Sequence, residues 1–168
     1  CRELIVWNRE EDPLDEYQEA AEAAGFTVTS TYDPGEVADS CNFIVTCTPS
    51  HKPLLQADQI RPGTHITALG SDTPEKIELD PQILANADVV VADSLLQSRT
   101  RGEISQASRA GKITEDKVVE LGNVITGKSP GRTSDDQLSV ADLTGVAVQD
   151  IQITKAVFMA LQQGGLGA

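Results

Sequence analysis

The sequence predicts an α/β fold, a doubly wound parallel sheet with helices on both faces. Apolar runs such as Val89–Ala92 show no alternation with polar residues, which is typical of strands covered on both faces. These runs alternate with helical stretches at intervals of about 20 to 30 residues, as in repeated strand-helix-strand units. Each run also ends in a polar or glycine-bearing loop, as expected where a strand meets a turn.

The first half of the chain contains four predicted strands, each short and rich in β-branched or aromatic residues. Asp12 begins a predicted helix that continues through Ala24. Asp33 begins a second, short helix at Pro34. The four predicted strands are residues 4–7, 26–29, 43–47 and 65–69.

The second half continues the alternation. Asp80 caps a predicted short helix, because the following Pro81 is tolerated in the first turn. Residues 95–123 are predicted as helical pieces around two glycines, and residues 126–136 as a polar loop. The other predicted elements are strands at residues 88–93 and 138–141 and a last helix at residues 145–161, whose apolar residues have helical spacing.

Composition narrows the classes of function. The 168 residues, 39% of them hydrophobic, fit one domain with a sizeable core, or one domain with an appendage. The 13 Lys and Arg stand against 26 Asp and Glu, a net charge of −13, and the basic residues form no stripe. We therefore expect no nucleic-acid partner. The longest apolar run, residues 156–161, is far shorter than the ~20 residues that a bilayer requires, so we expect no membrane span.

The cysteines indicate a reducing compartment. Cys1, Cys41 and Cys47 are odd in number and lack CxxC spacing, and two of them lie in or beside apolar stretches. No signal segment precedes the first strand, so a cytoplasmic location is predicted. Because the chain opens on Cys1 rather than Met, we expect it to be part of a longer polypeptide.

The loops after the strands are the candidate site. In open α/β sheets, ligands bind beyond the carboxyl ends of the strands. The relevant loops are residues 8–10, 46–50 and 70–74. The dinucleotide motif GxGxxG is absent from the sequence, as are GxSxG, the Walker loop and HExxH. His51 and His65 have no matched ligands at metal-binding spacing, so we expect no metal site.

Several sequence blocks, spread over nearly the whole chain, form one ordered pattern. They are VWNR (6–9), IVTCTP (44–49), PLL (53–55), RPGTHI (61–66), LGSDTPEKIELD (69–80), QSRTRGEI (97–104), LGNVITG (121–127) and ADLTGVAVQD (141–150). In order and spacing, these blocks resemble the ornithine cyclodeaminase/μ-crystallin family. No single block would be specific, but the combination is.

The resemblance implies a two-part organisation. Residues 1–143 would form an incomplete Rossmann-like NAD(P)-binding domain, in which the first strand and its glycine loop are missing. Residues 144–168 would form a C-terminal helix that packs on an N-terminal dimerisation and substrate domain absent from this chain. In the order 3-2-1-4-5-6 the first strand is central. We therefore expect the two facing strand edges either to pair with each other or to be filled by another copy.

The resemblance also implies a bound NAD or NADP. The cofactor-binding residues would be Asn8, Arg9, Thr46, Thr48, Pro49, Leu69 and Lys76. Asn8 and Arg9 slightly favour NADP, because an amide with an arginine tolerates a 2′-phosphate that an acid would repel. The three acids at residues 10–12 oppose this preference. The alternatives are a solvated turn at Asn8 and Arg9, an ordinary strand-to-loop transition at residues 46–49, and an exposed surface lysine at residue 76.

Asp72 is the predicted catalytic residue. In the cyclodeaminase branch the matching Asp acts as acid and base, whereas the alternative is that Asp72 and Pro74 simply form a turn. The implied parent protein transfers hydride at the α-carbon of a small amino or imino acid, with imine formation and then ammonia release or reduction. It would be a homodimer.

Other functions remain open. One is an NADPH- and small-ligand-binding protein like μ-crystallin, whose branch lacks the acid. Another is an ectoine-utilisation relative of the cyclodeaminases, suggested by the block at residues 141–145, where Leu143 stands in place of the serine of many relatives. We expect the isolated 168 residues to be inactive and to bind dinucleotide poorly, because they lack the glycine-loop N–H groups that hold the pyrophosphate.

Overall fold

The computed structural model describes residues 2–9 and 15–162. Predictions that rest on Cys1, on the helix start at Asp12, on the acids at residues 10–12 and on the end of the chain after residue 162 lie outside the described residues. No helix in residues 2–9 and 15–162 combines the length and the apolar character needed to cross a membrane.

The described residues alternate between strands and helices. The strands are β1 (Glu3–Trp7), β2 (Thr27–Thr31), β3 (Phe43–Thr46), β4 (His51–Leu55), β5 (His65–Ala68), β6 (Ile77–Leu79), β7 (Val89–Ala92), β8 (Val118–Glu120) and β9 (Ser139–Asp142). The helices are α1 (Asp15–Ala23), α2 (Pro34–Ser40), α3 (Pro81–Asn86), α4 (Leu95–Ser98), α5 (Gly102–Arg109), α6 (Leu121–Ile125) and α7 (Ala147–Gln162).

A five-stranded parallel sheet organises the chain. Its order is β3-β5-β9-β7-β8, and two smaller parallel sheets are formed by β1 with β2 and by β4 with β6. The central strands β5, β7 and β9 each place a completely buried side chain in the core, namely Ile66, Val90 and Val140. The predicted parallel α/β fold is confirmed.

Local sequence explains most of the boundaries. The side chain of Asp33 accepts a hydrogen bond from the backbone N–H of Gly35 at 2.8 Å, so it caps α2. Asp80 caps α3 in the same way through Gln82, at 2.9 Å. All six predicted strands are present, and the last predicted helix is α7.

One prediction is wrong within residues 95–123, and two short strands were not predicted. Residues 118–120 form strand β8 instead of a helical piece, because they pair with the edge of β7, with Val118 opposite Val90. β4 and β6 have no strong sequence signal, because they are short and β4 contains Pro53.

The edges of β1 and β3 do not pair with each other. Within the described residues, β1 pairs with β2 and β3 pairs with β5, and no strand lies on the other edge of either. The two edges face an apolar groove, hereafter the β1/β3 groove, and α2 packs against both β1 and β4 beside it. The groove is lined by Ile5, Trp7, Pro34, Val37, Ile44, Val45, Thr46, Cys47, Thr48, Leu54 and Leu55. The expected closure by direct pairing is therefore wrong, because β1 pairs with β2 and β3 pairs with β5 and the two edges line opposite sides of the groove. Filling by another copy stays a prediction.

The C-terminal helix carries a second apolar surface. In the described part of the chain none of the residues of α7 is buried. Its exposed large side chains are Val148, Ile151, Ile153, Val157, Phe158, Met159 and Leu161. A helix that is apolar around most of its circumference is typical of one that is buried in a larger assembly.

Candidate functional site

Three neighbouring strands of the main sheet end at the same level. Thr46 at the end of β3 lies opposite Ala68 of β5, and Ala68 lies opposite Asp142 of β9. The loops that follow these strands therefore begin side by side at the carboxyl edge of the sheet. This is the position at which open parallel sheets bind ligands.

A completely buried glutamate, Glu78, joins two of these loops. Its Oε1 accepts hydrogen bonds from the backbone N–H of Thr48 at 2.6 Å and from the Thr48 hydroxyl at 2.8 Å. Its Oε2 accepts from the Thr46 hydroxyl at 2.7 Å and from the backbone N–H of Gly70 at 2.9 Å. The carboxylate thus connects the loop after β3 to the loop after β5.

These contacts define what the predicted residues of the first loop do. Thr46 is buried and Thr48 is half-buried, and both hydroxyls are donated to Glu78. Pro49 is exposed at the surface of the same loop. Thr46 and Thr48 therefore hold the loop in place through their side chains, while the exposed surface of the loop is offered by Cys47 and Pro49.

The second loop requires glycine at residue 70. A Cβ atom built there would lie 2.1 Å from the backbone oxygen of Thr48 and 2.6 Å from the Glu78 carboxylate. Any other residue would push the two loops apart. Leu69, the residue before it, is exposed and donates its backbone N–H to the oxygen of Thr46 at 2.8 Å.

Asp72 and Lys76 form an ion pair on this second loop. The Lys76 Nζ lies 2.6 Å from Asp72 Oδ1, and the Lys76 and Asp72 side chains are 21% and 54% exposed respectively. The hydrogen bond from Lys76 holds the pKa of Asp72 below its usual range, so Asp72 is a carboxylate near neutral pH. The backbone N–H of Asp72 also donates to the oxygen of Gly70 at 3.0 Å, as in a tight turn. Asp72 therefore takes part in a turn and also carries an accessible, ionised carboxylate.

A second buried carboxylate, Glu103, lies beneath this loop. It accepts hydrogen bonds from the Ser71 hydroxyl, from the backbone N–H of Glu78 at 2.7 Å and from that of Leu79 at 3.1 Å. Burial raises the pKa of Glu103 to about 7, against the effect of these three hydrogen bonds. The residue before Asp72 is thus anchored to α5.

Asp142, at the end of β9, completes the buried acidic layer. It accepts a hydrogen bond from the backbone N–H of Ile104 at 2.8 Å, and burial raises its pKa to about 7. Gly102 is required beside it, since a Cβ there would lie 2.4 Å from Asp142 Oδ2 and the backbone φ is +88°. Leu143 follows, and its backbone N–H donates to the oxygen of Ala68 at 2.9 Å.

Asn8 and Arg9 follow the carboxyl end of β1, on the other side of the β1/β3 groove. Asn8 is half-buried and Arg9 is exposed in a bend. Trp7, directly before them, lines the groove together with Thr46 and Thr48. In the described part of the chain, Asn8 and Arg9 are therefore separated from the other predicted cofactor residues by the β1/β3 groove.

The two histidines have structural surroundings. His65 lies on β5, where its ring nitrogens hydrogen-bond Ser139 and Thr67 at 2.8 and 3.1 Å and its ring stacks on Phe43. His51 begins β4, and its Nδ1 lies 3.3 Å from the backbone oxygen of Glu75. Among residues 2–9 and 15–162, no group of three or more His, Cys, Asp or Glu could hold a metal ion.

Sequence reasoning missed Glu78, Glu103 and Asp142. Glu78 stands between two apolar residues of a short strand, and Asp142 ends a buried strand. An acidic residue within an apolar strand can indicate a buried hydrogen-bonding site in the sequence, because a charged side chain is rarely buried without dedicated partners.

The known proteins that are similar to this chain indicate one family. The family model described as "Ornithine cyclodeaminase/mu-crystallin family" matches residues 1–165. An uncharacterized cyclodeaminase from Sinorhizobium fredii is 38% identical over 169 residues, covering 99% of this chain and 51% of that protein. Alanine dehydrogenase from Archaeoglobus fulgidus is 42% identical over 132 residues, covering 78% of this chain and 41% of that protein. The chain thus spans about half the length of the curated relatives it matches.

Solved structures are similar over the same extent. An archaeal alanine dehydrogenase dimer with bound NAD has a TM-score of 0.88 and 34% identity, covering 99% of this chain and 51% of that one. The iminosuccinate reductase of Paracoccus denitrificans in complex with NAD+ also has a TM-score of 0.88, with 35% identity, covering 98% of this chain and 50% of that one. The Rossmann-like fold class is confirmed by these neighbours.

Proposed function

This chain belongs to the ornithine cyclodeaminase/mu-crystallin family, and we propose that it is the nucleotide-binding part of an NAD(P)-dependent enzyme that acts on a small amino or imino acid. Its relatives include dehydrogenases, reductases and cyclodeaminases, and the similar structures named above hold NAD. The proposed reaction is oxidation of an amine to an imine at the α-carbon, or its reverse.

The observation that supports this proposal most directly is the accessibility and ionisation of the carboxylate of Asp72. Its carboxylate is accessible and ionised, and it lies on the loop after a central strand, beside the loop that contains Pro49. Lys76 contacts Oδ1 at 2.6 Å, and Oδ2 takes no part in this ion pair. A general base needs this combination of access, ionisation and fixed orientation.

Asp72 would accept and donate the proton that the substrate nitrogen exchanges during the reaction. A bound nicotinamide cofactor would supply the hydride transfer at the substrate α-carbon. As the carbon–nitrogen double bond forms, Asp72 takes the proton that leaves the amino nitrogen, and in the reductive direction it returns a proton to the imine nitrogen. Lys76 keeps the carboxylate ionised for the first of these roles.

The surface around Asp72 fits a dinucleotide at this edge. Leu69, Cys47 and Pro49 are exposed beside it and offer apolar contact, while Gly70 brings the backbone of the two loops close together. Asn8 and Arg9, across the β1/β3 groove, would meet the adenosine ribose. An exposed Arg9 can receive a 2′-phosphate, so we propose that NADP is accepted at least as well as NAD.

The test uses the full-length protein and NAD(P)H oxidation with imino acids, including imines formed from pyruvate or oxaloacetate with ammonia. We expect Asp72→Asn to lower kcat by about 100-fold, because general acid-base catalysis typically contributes that much or more. Asp116→Asn, another exposed aspartate far along the chain, is the matched control and should retain wild-type kcat. Wild-type protein that binds NADPH and a small ligand without turnover would instead support the μ-crystallin-like function.

The remaining organisation is proposed on the same basis. We propose that α7 packs on an N-terminal dimerisation and substrate domain, supported by its exposed apolar side chains and by relatives about twice as long as this chain. A homodimer in the cytoplasm is proposed for the whole protein. The isolated 168 residues are expected to bind NADPH weakly, and micromolar affinity in a calorimetric titration would contradict this.

A further inference from the structure

Glu78 contacts the candidate site only through other residues. It is completely buried on the short strand β6, and its four hydrogen-bond donors come from Thr46, Thr48 and Gly70. Each of the two carboxyl oxygens therefore accepts two hydrogen bonds. A buried carboxylate held only by neutral donors needs such complete satisfaction to offset its loss of hydration.

The donors belong to the loops of the candidate site. Thr46 and Thr48 end β3 and begin its loop, and Gly70 begins the loop that carries Asp72. The hydrogen bond from Gly70 to Glu78 also closes residues 70–78 into a ring, with Asp72 and Lys76 on its exposed part. The relative position of the two loops therefore depends on one carboxyl group.

A second layer fixes Glu78 itself. Glu103 accepts the backbone N–H groups of Glu78 and Leu79 and the hydroxyl of Ser71. Both residues before Asp72, Gly70 and Ser71, are thus tied to buried carboxylates. Asp72 is the first exposed side chain after Gly70.

We propose that Glu78 is a positioning residue, whose carboxylate holds the loop after β3 and the Asp72 loop in one fixed arrangement, with Glu103 as its support. This inference rests on the proposed function and deepens it. Its effect reaches the reaction through the placement of Asp72, and displacement of a reacting group by about 1 Å can lower a rate by on the order of 100-fold.

The experiment compares Glu78→Gln with Asp88→Asn in the full-length protein. The amide introduced by Glu78→Gln would present an NH₂ group to two donors, so the hydrogen bonds on one side of the residue 78 side chain must break. Asp88 is the matched control, because its carboxylate also accepts a backbone N–H, that of Leu138 at 2.8 Å, but at the opposite end of β7. We measure kcat and KM, the melting temperature, and hydrogen exchange of the protein without cofactor.

The expected result for Glu78→Gln is a fall in kcat of at least about tenfold, with faster exchange confined to residues 47–50 and 70–77. Asp88→Asn should leave kcat unchanged. The proposal is overturned if Glu78→Gln lowers only the melting temperature and keeps wild-type kcat, or if exchange in the two loops is unchanged.

A milder variant keeps the proposal testable if Glu78→Gln fails to fold. Thr48→Val removes one of the four donors, the hydroxyl, and leaves the backbone N–H in place. We expect a severalfold loss of kcat and faster exchange in the same two loops, and wild-type values for both would overturn the proposal. If the wild-type protein has no turnover with any imino acid, the proposed function fails, while the exchange measurement still decides whether Glu78 positions the loops.

Discussion

The carboxyl edge of the five-stranded sheet differs from the apolar surfaces of α7 and the β1/β3 groove. At the carboxyl edge this chain supplies the partners of its buried side chains, whereas the two apolar surfaces stay partly uncovered. At the carboxyl edge, Glu78, Glu103 and Asp142 are buried, and each finds its hydrogen-bond donors within the chain. At α7 and at the β1/β3 groove, apolar side chains are exposed and two strand edges face each other without pairing.

The difference indicates which interactions are completed within this chain. Buried acidic groups require specific hydrogen-bond partners at specific distances, and the partners described above all lie in residues 46–142. Apolar surface has no such directional requirement and can be covered by any chain of suitable shape.

The largest effect is expected for Gly70→Ala. The new Cβ would lie 2.1 Å from a backbone oxygen that cannot rotate away, so we expect a loss of about 3 kcal/mol or more in the free energy of unfolding. Gly122→Ala is the control, since nothing lies within 4 Å of its Cβ position, and it should be neutral or slightly stabilising. Chemical denaturation measures both. Equal stability of the two variants would mean that the loops at the carboxyl edge are not tightly packed.

A nearly equal effect is expected for Phe158→Ala on α7, but only in the full-length protein. There the ring would be buried, and its loss should lower the free energy of unfolding by about 3 kcal/mol. In the isolated 168 residues, where Phe158 is 59% exposed, the same substitution should change it by less than about 0.5 kcal/mol. Ile125→Ala, 76% exposed on α6, should be mild in both proteins. A full-length variant as stable as the wild type would show that α7 is not covered.

A smaller effect is expected for Arg9→Gln at the edge of the β1/β3 groove. Loss of a charge-assisted hydrogen bond to a 2′-phosphate should raise KM for NADPH by about tenfold and leave KM for NADH unchanged. Arg61→Gln, another exposed arginine, is the control. Steady-state kinetics with both cofactors measure the ratio, and unchanged NADPH kinetics would favour the solvated-turn interpretation of Asn8 and Arg9.

The smallest effect concerns the pH dependence of stability. Burial raises the pKa of Glu103 and of Asp142 to about 7, from ordinary values of 4.5 and 3.8. The folded chain therefore binds more protons than the unfolded chain between those values and about 7, so its stability should fall as pH rises through this window. Between about pH 5 and about pH 8, the free energy of unfolding of Glu103→Gln should fall by on the order of 1 kcal/mol less than that of the wild type.

Denaturation midpoints at several pH values test this last prediction. Glu75→Gln, which changes an exposed acid of the loop that carries Asp72, should keep the wild-type slope. If Glu103→Gln has that slope as well, the carboxyl of Glu103 does not change its ionisation on folding. The buried acids would then differ little from exposed ones in this respect.

Much of the fold follows from local patterns. Six strands and the caps of α2 and α3 were predictable, because continuous apolar runs and Asp-Pro pairs determine local conformation with little help from distant residues. The short strands β4, β6 and β8 were not, because three to five residues form a strand only where a partner edge is available. The loops that contain Thr46, Thr48 and Gly70 were predicted to form one site, since parallel strands end at a common edge.

By itself, the sequence determined the fold class, the loops that form the candidate site and the family to which the chain belongs, since these depend on local periodicity and on ordered blocks. Only the tertiary structure decided that Glu78 and Glu103 connect these loops, because their donors come from residues 8 to 32 positions away along the chain. It also decided that the edges of β1 and β3 remain apart, because which strand edges pair depends on how segments distant in sequence pack together, here with α2 against both β1 and β4.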